Sequence, residues 1–460
     1  MADQQQDTYD IVILGGGSGG YACALRAAEL GLSVALVERS KLGGTCLHLG
    51  CIPTKALLHA AEVADSARES AQFGVRATFE SIDLPAVHAY KDGVVNRLHK
   101  GLQGLVKAAG LTYVEGTGRV VAADAVEVDG RRLTGRNLVL ATGSYAKTLP
   151  GLEIGGRVMT SEQALRLDEV PARTIVLGGG VIGVELASAL RSFGSEVTIV
   201  EALPRLVAAE DPAISKQLER SFRKRKIAVR TGARFESATQ DDAQVTVTLE
   251  GGDQLEAELL LVAVGRGPVT DGLGYEQIGV ATDRGYVLAE DCRTSVEGVW
   301  AVGDIVPGLQ LAHRGFAQGI YVAEAIAGLE PARIDERGIP RVTYCDPEVA
   351  SVGLTEAQAK EQDGEEKVEV FEYNLGGNGR SQILGTQGFV KLVRRKDGPV
   401  VGLHMIGARM GEQVGEAQLI YGWEALPEDV ASLVHAHPTQ NEALGEAHLA
   451  LAGKPLHAHS

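Results

Sequence analysis

The stretch DIVILGGGSGGYACALRAAELGLSVALVE, residues 10–38, decides the fold. A short apolar run enters the pattern Gly15-x-Gly17-x-x-Gly20, a small-residue segment follows, and a second apolar run ends at Glu38. This order predicts a strand, a tight glycine turn, a helix and a second strand with an acid about 20 positions on. Such a unit binds a dinucleotide, because the helix N-terminus attracts the pyrophosphate and the carboxylate accepts from a ribose hydroxyl.

A second copy of the pattern lies at residues 174–201, TIVLGGGVIGVELASALRSFGSEVTIVE. Its glycines are Gly178, Gly180 and Gly183, and it closes on Glu201 at the spacing seen in the first copy. One glycine pattern is weak evidence, because ordinary turns also use glycine. Two copies in the same context of strand, turn, helix and strand predict two bound dinucleotides.

The segments between and after the copies give the rest of the organisation. Residues 56–110 read as largely helical, and sheet returns at residues 138–144 and 258–268. The segment VWAVGDI places Asp304 after a short apolar strand, where it either binds a polyol or caps the next helix. A new composition begins at about residue 340, with strand-like FVKLVRR and VVGLHMIGA before helical EQVGEAQLIYGWEA.

The segment GGTCLHLGCIPTKALL, residues 43–58, contains Cys46 and Cys51. A disulfide closing so small a loop stabilises a fold little, and one such cysteine pair is at best half a zinc site. A redox role is therefore favoured over a structural bridge or a metal site. Pro53 predicts a helix that starts near Cys51 and carries Lys55, and both the helix dipole and the ammonium favour a thiolate there.

Composition excludes some functions. The chain has 460 residues and a formal charge of −16, which argues against a nonspecific nucleic-acid binder. It has no apolar run long enough to span a membrane, and MADQQQDTYD lacks the pattern of a signal peptide. We expect a cytoplasmic protein that binds neither membrane nor nucleic acid. The remaining cysteines are expected to be buried apolar thiols: Cys23, Cys292 and Cys345.

The motifs together resemble a known family. The cysteine segment, the paired glycine patterns, LATGS, AVGD and HAHPTQNE occur in the order typical of the pyridine nucleotide-disulfide oxidoreductases. The likeness covers nearly the whole chain and is greatest to members that oxidise dihydrolipoamide. It implies an α/β fold with two Rossmann-like dinucleotide-binding domains and a C-terminal α+β dimerisation domain. The implied domains are FAD-binding (1–147), NAD-binding (148–270), a second central FAD part (271–336) and interface (337–460).

The resemblance implies FAD in the first unit and NAD in the second. The residues implied at FAD are Gly15, Gly17, Gly20, Glu38, Lys55, Gly116, Asp304 and Ala312. Those implied at NAD are Gly178, Gly180, Gly183, Glu201, Gly265 and Arg266. NAD is favoured over NADP because Glu201 is followed by Ala202 and Leu203 rather than an arginine cluster, with Arg205 the one cation nearby.

The resemblance also implies the catalytic groups. Cys46 and Cys51 would form the redox disulfide, and His437, oriented by Glu442 and followed by a cis proline, would be the acid–base for the other subunit of a homodimer. The remaining implied catalytic residues are Lys55 and Glu185, paired beside the flavin. The alternative for Glu185, which is compatible with that pairing, is an acid that favours the dipole in a helix's first turn.

The implied partner is a lipoyl-bearing acyltransferase (E2) of a 2-oxo acid dehydrogenase complex, or a glycine-cleavage lipoyl protein. The alternatives are a glutathione- or mercuric-reductase-like enzyme and an inactive flavin-binding subunit. His48 replaces the asparagine that the family usually has between the cysteines. No metal is expected, so three histidines near the C-terminus are interpreted as solvent-facing: His435, His457 and His459.

Overall fold

The computed structural model describes residues 7–458. Its strands are β1 (Asp7–Leu14), β2 (Val34–Glu38), β3 (Thr112–Glu115), β4 (Gly118–Ala122), β5 (Ala125–Val128), β6 (Arg131–Leu140), β7 (Ser144–Ala146), β8 (Val158–Thr160), β9 (Arg173–Leu177), β10 (Glu196–Glu201), β11 (Ala228–Thr231), β12 (Phe235–Gln240), β13 (Val245–Leu249), β14 (Gln254–Ala257), β15 (Leu259–Val262), β16 (Arg266–Pro268), β17 (Thr282–Asp283), β18 (Tyr286–Val287), β19 (Val299–Ala301), β20 (Arg341–Thr343), β21 (Glu348–Gly353), β22 (Val368–Asn374), β23 (Phe389–Arg395) and β24 (Val400–Gly407).

The α-helices are α1 (Ser18–Glu29), α2 (Gly44–His48), α3 (Cys51–Glu69), α4 (Leu84–Ala108), α5 (Ser161–Ala164), α6 (Val181–Phe193), α7 (Pro212–Lys224), α8 (Ala312–Ile326), α9 (Glu356–Asp363), α10 (Gly379–Leu384), α11 (Val414–Gly422), α12 (Pro427–Ala431) and α13 (Glu442–Leu451). Short 3-10 turns lie at Ser70–Phe73, Glu276–Ile278, Gly303–Ile305, Glu336–Gly338, Glu365–Lys367 and Leu375–Gly377. Within residues 7–458, none of these helices has both the length and the apolar character that crossing a membrane requires.

The chain divides into two compact units. The first unit comprises Met1–Leu57, Asp83–Lys147 and Gly265–Glu336, and the second comprises Leu58–Ile82, Thr148–Val264 and Arg337–Ser460. Each copy of the glycine pattern belongs to a different unit.

The first unit is built on a sheet ordered β3-β2-β1-β6-β5-β4, with β19 also paired to β6. β6 pairs in parallel with β1, and its other edge is shared by antiparallel β5 at residues 131–134 and parallel β19 at residues 138–140. The carboxyl ends of β1, β2, β6 and β19 therefore meet at one edge, which is where doubly wound sheets bind ligands.

Alternation along the strands divides the core of this unit between the two sheet faces. On β1, Ile11 and Ile13 belong to one apolar cluster, whereas Val12 and Leu14 belong to another. All four side chains are buried, as expected for a parallel strand covered on both faces. Burial on both faces of the sheet is why the sequence of β1 is a continuous apolar run rather than an alternation of apolar and polar residues.

The second unit repeats the parallel arrangement. Its sheet is ordered β11-β10-β9-β15-β8, and an antiparallel sheet, β12-β13-β14, accompanies it. The C-terminal part is an antiparallel sheet, β20-β21-β24-β23-β22, with α11 and α13 packed on it. The predicted strands in FVKLVRR and VVGLHMIGA and the helix after them are confirmed as β23, β24 and α11.

Candidate active site and dinucleotide-binding sites

The two glycine turns have the same steric requirements. Gly15 and Gly178 have φ values of 112° and 111°, which favour glycine. A Cβ on Gly20 would stand 1.8 Å from the carbonyl oxygen of Gly15, and one on Gly183 would stand 2.0 Å from that of Gly178. Each third glycine therefore lets its helix approach the turn, α1 in one unit and α6 in the other.

The acid of each unit makes the same pair of backbone contacts. Glu38 accepts from the N–H of Gly16 at 2.7 Å and from that of Ser40 at 2.8 Å. Glu201 accepts from the N–H of Gly179 at 2.6 Å and from that of Leu203 at 2.7 Å. Both carboxylates thus lie beside their glycine turn.

The middle of each turn fits a phosphate group. A Cβ on Gly180 would meet nothing within 4 Å, and one on Gly17 would meet its nearest atom at 4.0 Å. Each glycine stands directly before a helix, so the protein leaves space where backbone N–H groups point outward. The residues present therefore fit a dinucleotide in each unit.

Gly116 and Ala312 also lie at chain positions suited to a cofactor. Gly116 follows β3, has φ 157°, and donates its N–H to the carbonyl of Glu38 at 2.9 Å. A Cβ there would stand 2.5 Å from Val128, so the position admits only glycine. Ala312 is the first residue of α8, and its backbone N–H is one of those that a helix start leaves available.

Asp304 lies in the short turn Gly303–Ile305 after β19, and its carboxylate has a partner that the sequence reasoning missed. Ser144 donates its hydroxyl to Asp304 Oδ2 at 2.5 Å. Arg266 donates from Nε to the same hydroxyl and from a terminal nitrogen to the Ser144 carbonyl, both at 2.8 Å. The LATGS motif, which ends at Ser144, was the available signal.

The residues expected near NAD have different contacts in the structure. Arg266 belongs to the first unit, where it contacts Ser144. Gly265 has φ 108°, and its carbonyl accepts from the N–H of Lys147 at 3.0 Å. Arg205 donates to the carbonyls of Ala208 and Glu210, so it is engaged with backbone, in keeping with the expectation of NAD rather than NADP.

The redox candidates lie at a break between two helices. Cys46 is the third residue of α2, and Cys51 is the first residue of α3, as the position of Pro53 predicted. Both are thiols of intermediate burial in this structure. A hydrogen bond links the two side chains, so their sulfur atoms are close enough for the exchange chemistry of a working pair.

The surroundings of Cys46 bear on its acidity. The hydrogen bond that the Cys46 thiol makes with Cys51, and then burial, raise the pKa of Cys46, and the charge of Asp304 adds to this. Lys55 acts in the opposite direction and lowers that pKa. Tyr21 is a further neighbour that no sequence motif indicated, and burial together with the charge of Cys46 raises its pKa to about 12. Because Lys55 lowers the pKa of Cys46, its ammonium lies where it favours the Cys46 thiolate.

The other cysteines are buried, as expected. Burial raises the pKa of Cys23 and of Cys292 to about 12. The pKa of Cys345 is also raised by burial, and its thiol donates to the carbonyl of Pro347 at 3.3 Å.

The alternative for Glu185, an acid in the first turn of a helix, is wrong. α6 begins at Val181, so Glu185 is its fifth residue and lies beyond the first turn. Its side chain is buried and accepts from the N–H of Tyr344 at 2.9 Å. Lys55 belongs to the first unit and Glu185 to the second, and their pairing stays a prediction.

His437 and Glu442 form a hydrogen-bonded pair. His437 Nδ1 lies 2.8 Å from Glu442 Oε1, and the second oxygen of Glu442 accepts from the N–H of Thr439 at 2.8 Å. The His437-Pro438 peptide bond is cis, as predicted. The imidazole is 72% exposed within this chain, so its other nitrogen, Nε2, faces outward from the pair. The geometry is that of a base with an orienting carboxylate.

The interpretation of the C-terminal histidines is wrong in part. His435 is only 11% exposed, because its Nε2 lies 2.8 Å from Glu416 on α11. His457 is 61% exposed and pairs with Glu446 at 2.8 Å. His459 lies outside the described residues. Among residues 7–458, no group of three potential metal-ligating side chains is arranged to hold an ion.

Comparisons with known proteins agree with this geometry. Residues 9–319 match the family described as pyridine nucleotide-disulphide oxidoreductase, and residues 339–448 match the dimerisation domain of that family. The chain belongs to the pyridine nucleotide-disulphide oxidoreductases. It is accordingly an NAD-dependent flavoprotein disulfide oxidoreductase, and the predictions of an α/β fold and of FAD and NAD as cofactors are confirmed.

Individual relatives indicate which enzymes of this family the chain resembles. The chain is 40% identical to a dihydrolipoyl dehydrogenase of Bacillus subtilis, over 98% of this chain and 99% of the relative. It is also 40% identical to mitochondrial dihydrolipoyl dehydrogenase 1 of Arabidopsis thaliana, over 99% of this chain and 93% of the relative. Among solved structures, LpdA of Mycobacterium tuberculosis is 26% identical with a TM-score of 0.90, covering 97% of this chain and 99% of that one.

Proposed function

We propose that this chain oxidises dihydrolipoamide to lipoamide and passes the electrons to NAD+. The observation that carries the proposal is the hydrogen-bonded Cys46–Cys51 pair at the break between α2 and α3, where the charge of Lys55 acts on Cys46. The likeness to proteins named dihydrolipoyl dehydrogenase, at 40% identity over nearly the whole chain, supports this substrate.

The first steps use groups of the protein. With Cys46 and Cys51 joined as a disulfide, His437 of the partner subunit takes a proton from one substrate thiol. The resulting thiolate attacks the sulfur of Cys46, the bond to Cys51 breaks, and Cys51 leaves as a thiolate. After His437 has released the first proton to solvent, it takes the proton of the second substrate thiol. The resulting thiolate attacks the substrate sulfur bound to Cys46, and Cys46 leaves as a thiolate. Lipoamide leaves with its ring disulfide, and both cysteines are then reduced.

Glu442 fixes the orientation of the His437 ring, so that Nε2 is the atom that exchanges the proton. Lys55 lowers the pKa of Cys46 and so favours its departure as a thiolate. Bound FAD supplies the two-electron chemistry between the cysteine pair and NAD+. The proposed holders of FAD are Gly15, Gly17, Gly20, Glu38, Lys55, Gly116, Asp304 and Ala312, and those of NAD are Gly178, Gly180, Gly183, Glu201, Gly265 and Arg266.

The proposal includes a homodimer, because His437 is assigned to the cysteines of the partner. The match of residues 339–448 to a dimerisation domain supports it. The proposed protein partner is a lipoyl-bearing acyltransferase of a 2-oxo acid dehydrogenase complex, or the lipoyl protein of glycine cleavage. The proposed location is the cytoplasm, where other thiols stay reduced.

The test compares substrates with the purified holoenzyme. We expect NADH formation from dihydrolipoamide and NAD+, and no comparable oxidation of NADPH by glutathione disulfide or mercuric ion. His437→Ala should lower kcat by about 100-fold or more, because a lost acid–base costs that much, while the flavin content stays unchanged. If glutathione disulfide with NADPH is the only substrate pair turned over, the protein is a glutathione-reductase-like enzyme. If no substrate is turned over, it is an inactive subunit.

A further inference from the structure

The loop that carries His437, residues 432–441, is fixed near both ends by one carboxylate. This segment, the His437 loop, joins α12 to α13. Near its start, His435 Nε2 lies 2.8 Å from Glu416 Oε1. At its end, Asn441 Nδ2 donates to Glu416 Oε2 at 2.6 Å. A single side chain on α11 therefore connects the two ends of the loop.

His435 is also packed against the following helix. A Cβ on Gly445 of α13 would stand 2.5 Å from His435 Nδ1, so the imidazole lies directly on the helix backbone. The side chain of His435 is 11% exposed and that of Glu416 is 29% exposed. Because water competes little at this site, the hydrogen bond between them is worth more than one at the surface.

The charges around His435 favour its protonated form. The hydrogen bond to Glu416 raises the pKa of His435 despite the opposing effect of burial, and Glu442 on α13 adds to the rise. The pKa of Glu416 is lowered, first by the hydrogen bond with His435 and then, against burial, by Asn441 and by the charges of His435 and His448. The contact is therefore a charge-assisted hydrogen bond.

We propose that Glu416 and His435 are positioning residues of the acid–base site, which hold the His437 loop so that the His437 ring is presented to the reacting thiol. The inference rests on the proposed function, in which His437 moves the proton. Glu442 sets the rotation of the ring, whereas Glu416 sets the position of the backbone that carries it. A proton-transfer group has to lie within hydrogen-bond reach of its target, so a displaced loop slows the reaction.

The chain offers a matched control. His457 Nδ1 lies 2.8 Å from Glu446 Oε1, the same distance as in the Glu416–His435 pair, but His457 lies outside the His437 loop, beyond the end of α13, and is 61% exposed. The experiment compares Glu416→Ala, Glu416→Gln and His435→Gln with His457→Gln in the full-length holoenzyme. Glu416→Gln keeps a carbonyl acceptor and loses the charge, so it serves if Glu416→Ala does not fold.

Two measurements are made on each variant. Amide hydrogen exchange across residues 436–440 reports whether the loop is held, and we expect it to be about tenfold faster in Glu416→Ala. Steady-state kinetics should show kcat for dihydrolipoamide lowered by about 10- to 100-fold, as for a misplaced catalytic group. The KM for NAD+ and the flavin content should be unchanged, and His457→Gln should match the wild type in all of these.

The pH profile adds a readout that a purely structural role does not move. Because the pKa of His435 is raised, its charged contact is fully present below about pH 6.5, the ordinary histidine value, and is lost as the pH rises through the raised value. The ratio of wild-type kcat to that of His435→Gln should therefore fall as the pH rises from 6 to 9. The ratio to His457→Gln should stay constant, since effects common to both enzymes cancel.

Unchanged exchange in residues 436–440 of the Glu416 variants would overturn the inference, and so would faster exchange with unchanged kcat. A wild-type enzyme that does not turn over dihydrolipoamide would instead overturn the proposed function. The exchange data separate the two failures, because they do not depend on activity.

Discussion

Ser144 donates its hydroxyl to the carboxylate of Asp304 over 2.5 Å, although the two residues lie in different strand–turn segments of the chain. The same hydroxyl accepts from Nε of Arg266. One small side chain thus joins a guanidinium to the proposed polyol-binding acid, whose charge also raises the pKa of the Cys46 thiol. Ser144, Asp304 and Arg266 therefore form one hydrogen-bonded group.

Ser144→Ala should weaken flavin binding. The substitution removes the hydroxyl that orients Asp304 and that accepts from Arg266 Nε, and loss of a hydrogen bond to a charged group costs about 1–3 kcal/mol. We expect the dissociation constant for FAD to rise by about tenfold, measured by fluorescence titration of the deflavinated protein. The exposed Ser81→Ala is the control. An unaltered affinity in Ser144→Ala would show that Asp304 needs no orienting partner.

Gly20→Ala and Gly183→Ala should each disrupt one dinucleotide unit. The new Cβ would stand 1.8 Å or 2.0 Å from a backbone oxygen that cannot move without opening the turn. We expect the free energy of unfolding to fall by about 3 kcal/mol or more in each variant, measured by denaturant unfolding. Gly20→Ala should in addition lose flavin.

Gly101→Ala is the matched control for these glycine variants, because the position is exposed on α4 and its Cβ would meet nothing within 4 Å. Alanine favours a helix over glycine by about 1 kcal/mol, so this variant should be slightly more stable than the wild type. Equal losses at all three positions would contradict the steric account.

The elements around the glycine patterns were predictable because their signals are local. A strand, a turn and a helix within 30 residues can each be recognised from the periodicity of apolar residues and from the spacing of glycines. The order of β1, α1 and β2 matches the predicted order. The start of α3 at Cys51 was likewise marked by Pro53. Such features depend on neighbours in sequence.

The predictions that were wrong or missing depend on contacts between distant residues. His435 was expected to face solvent, since nothing near it in the sequence shows that Glu416 of α11 binds its ring. The hydrogen bonds of Ser144 to Asp304 and Arg266 join segments far apart in the chain. Local periodicity contains none of this information.

Lys55→Met should make Cys46 a poorer thiolate. Lys55 lowers the pKa of Cys46, whereas the hydrogen bond with Cys51 and burial raise it, so removing the ammonium leaves the raising effects unopposed. We expect alkylation of Cys46 by iodoacetamide in the reduced enzyme to slow by about tenfold at pH 8, because only the thiolate reacts. Mass spectrometry of the labelled peptide measures this. Lys100→Met, exposed on α4, should react at the wild-type rate, and equal rates for both variants would exclude a role for Lys55 at the thiol.

His48, which stands between the redox cysteines, packs edge-on against His99 of α4 with the ring centroids 4.8 Å apart. Its Nε2 lies 2.9 Å from the carbonyl oxygen of Leu42, so the neutral ring donates there. Burial lowers the pKa of both histidines, and Lys41 lowers both further. A histidine with a lowered pKa binds more protons in the unfolded chain, so its contribution to stability is lost as the pH falls below about 6.5.

His48→Asn should therefore make the protein less sensitive to acid. We expect the wild type to lose more stability than this variant between pH 7.5 and pH 5.5, measured as the change in the free energy of unfolding in urea. His59→Asn, at an exposed site on α3, should lose as much as the wild type. If His48→Asn and the wild type lose the same free energy of unfolding over this pH range, protonation of His48 does not destabilise α2, the helix that carries Cys46.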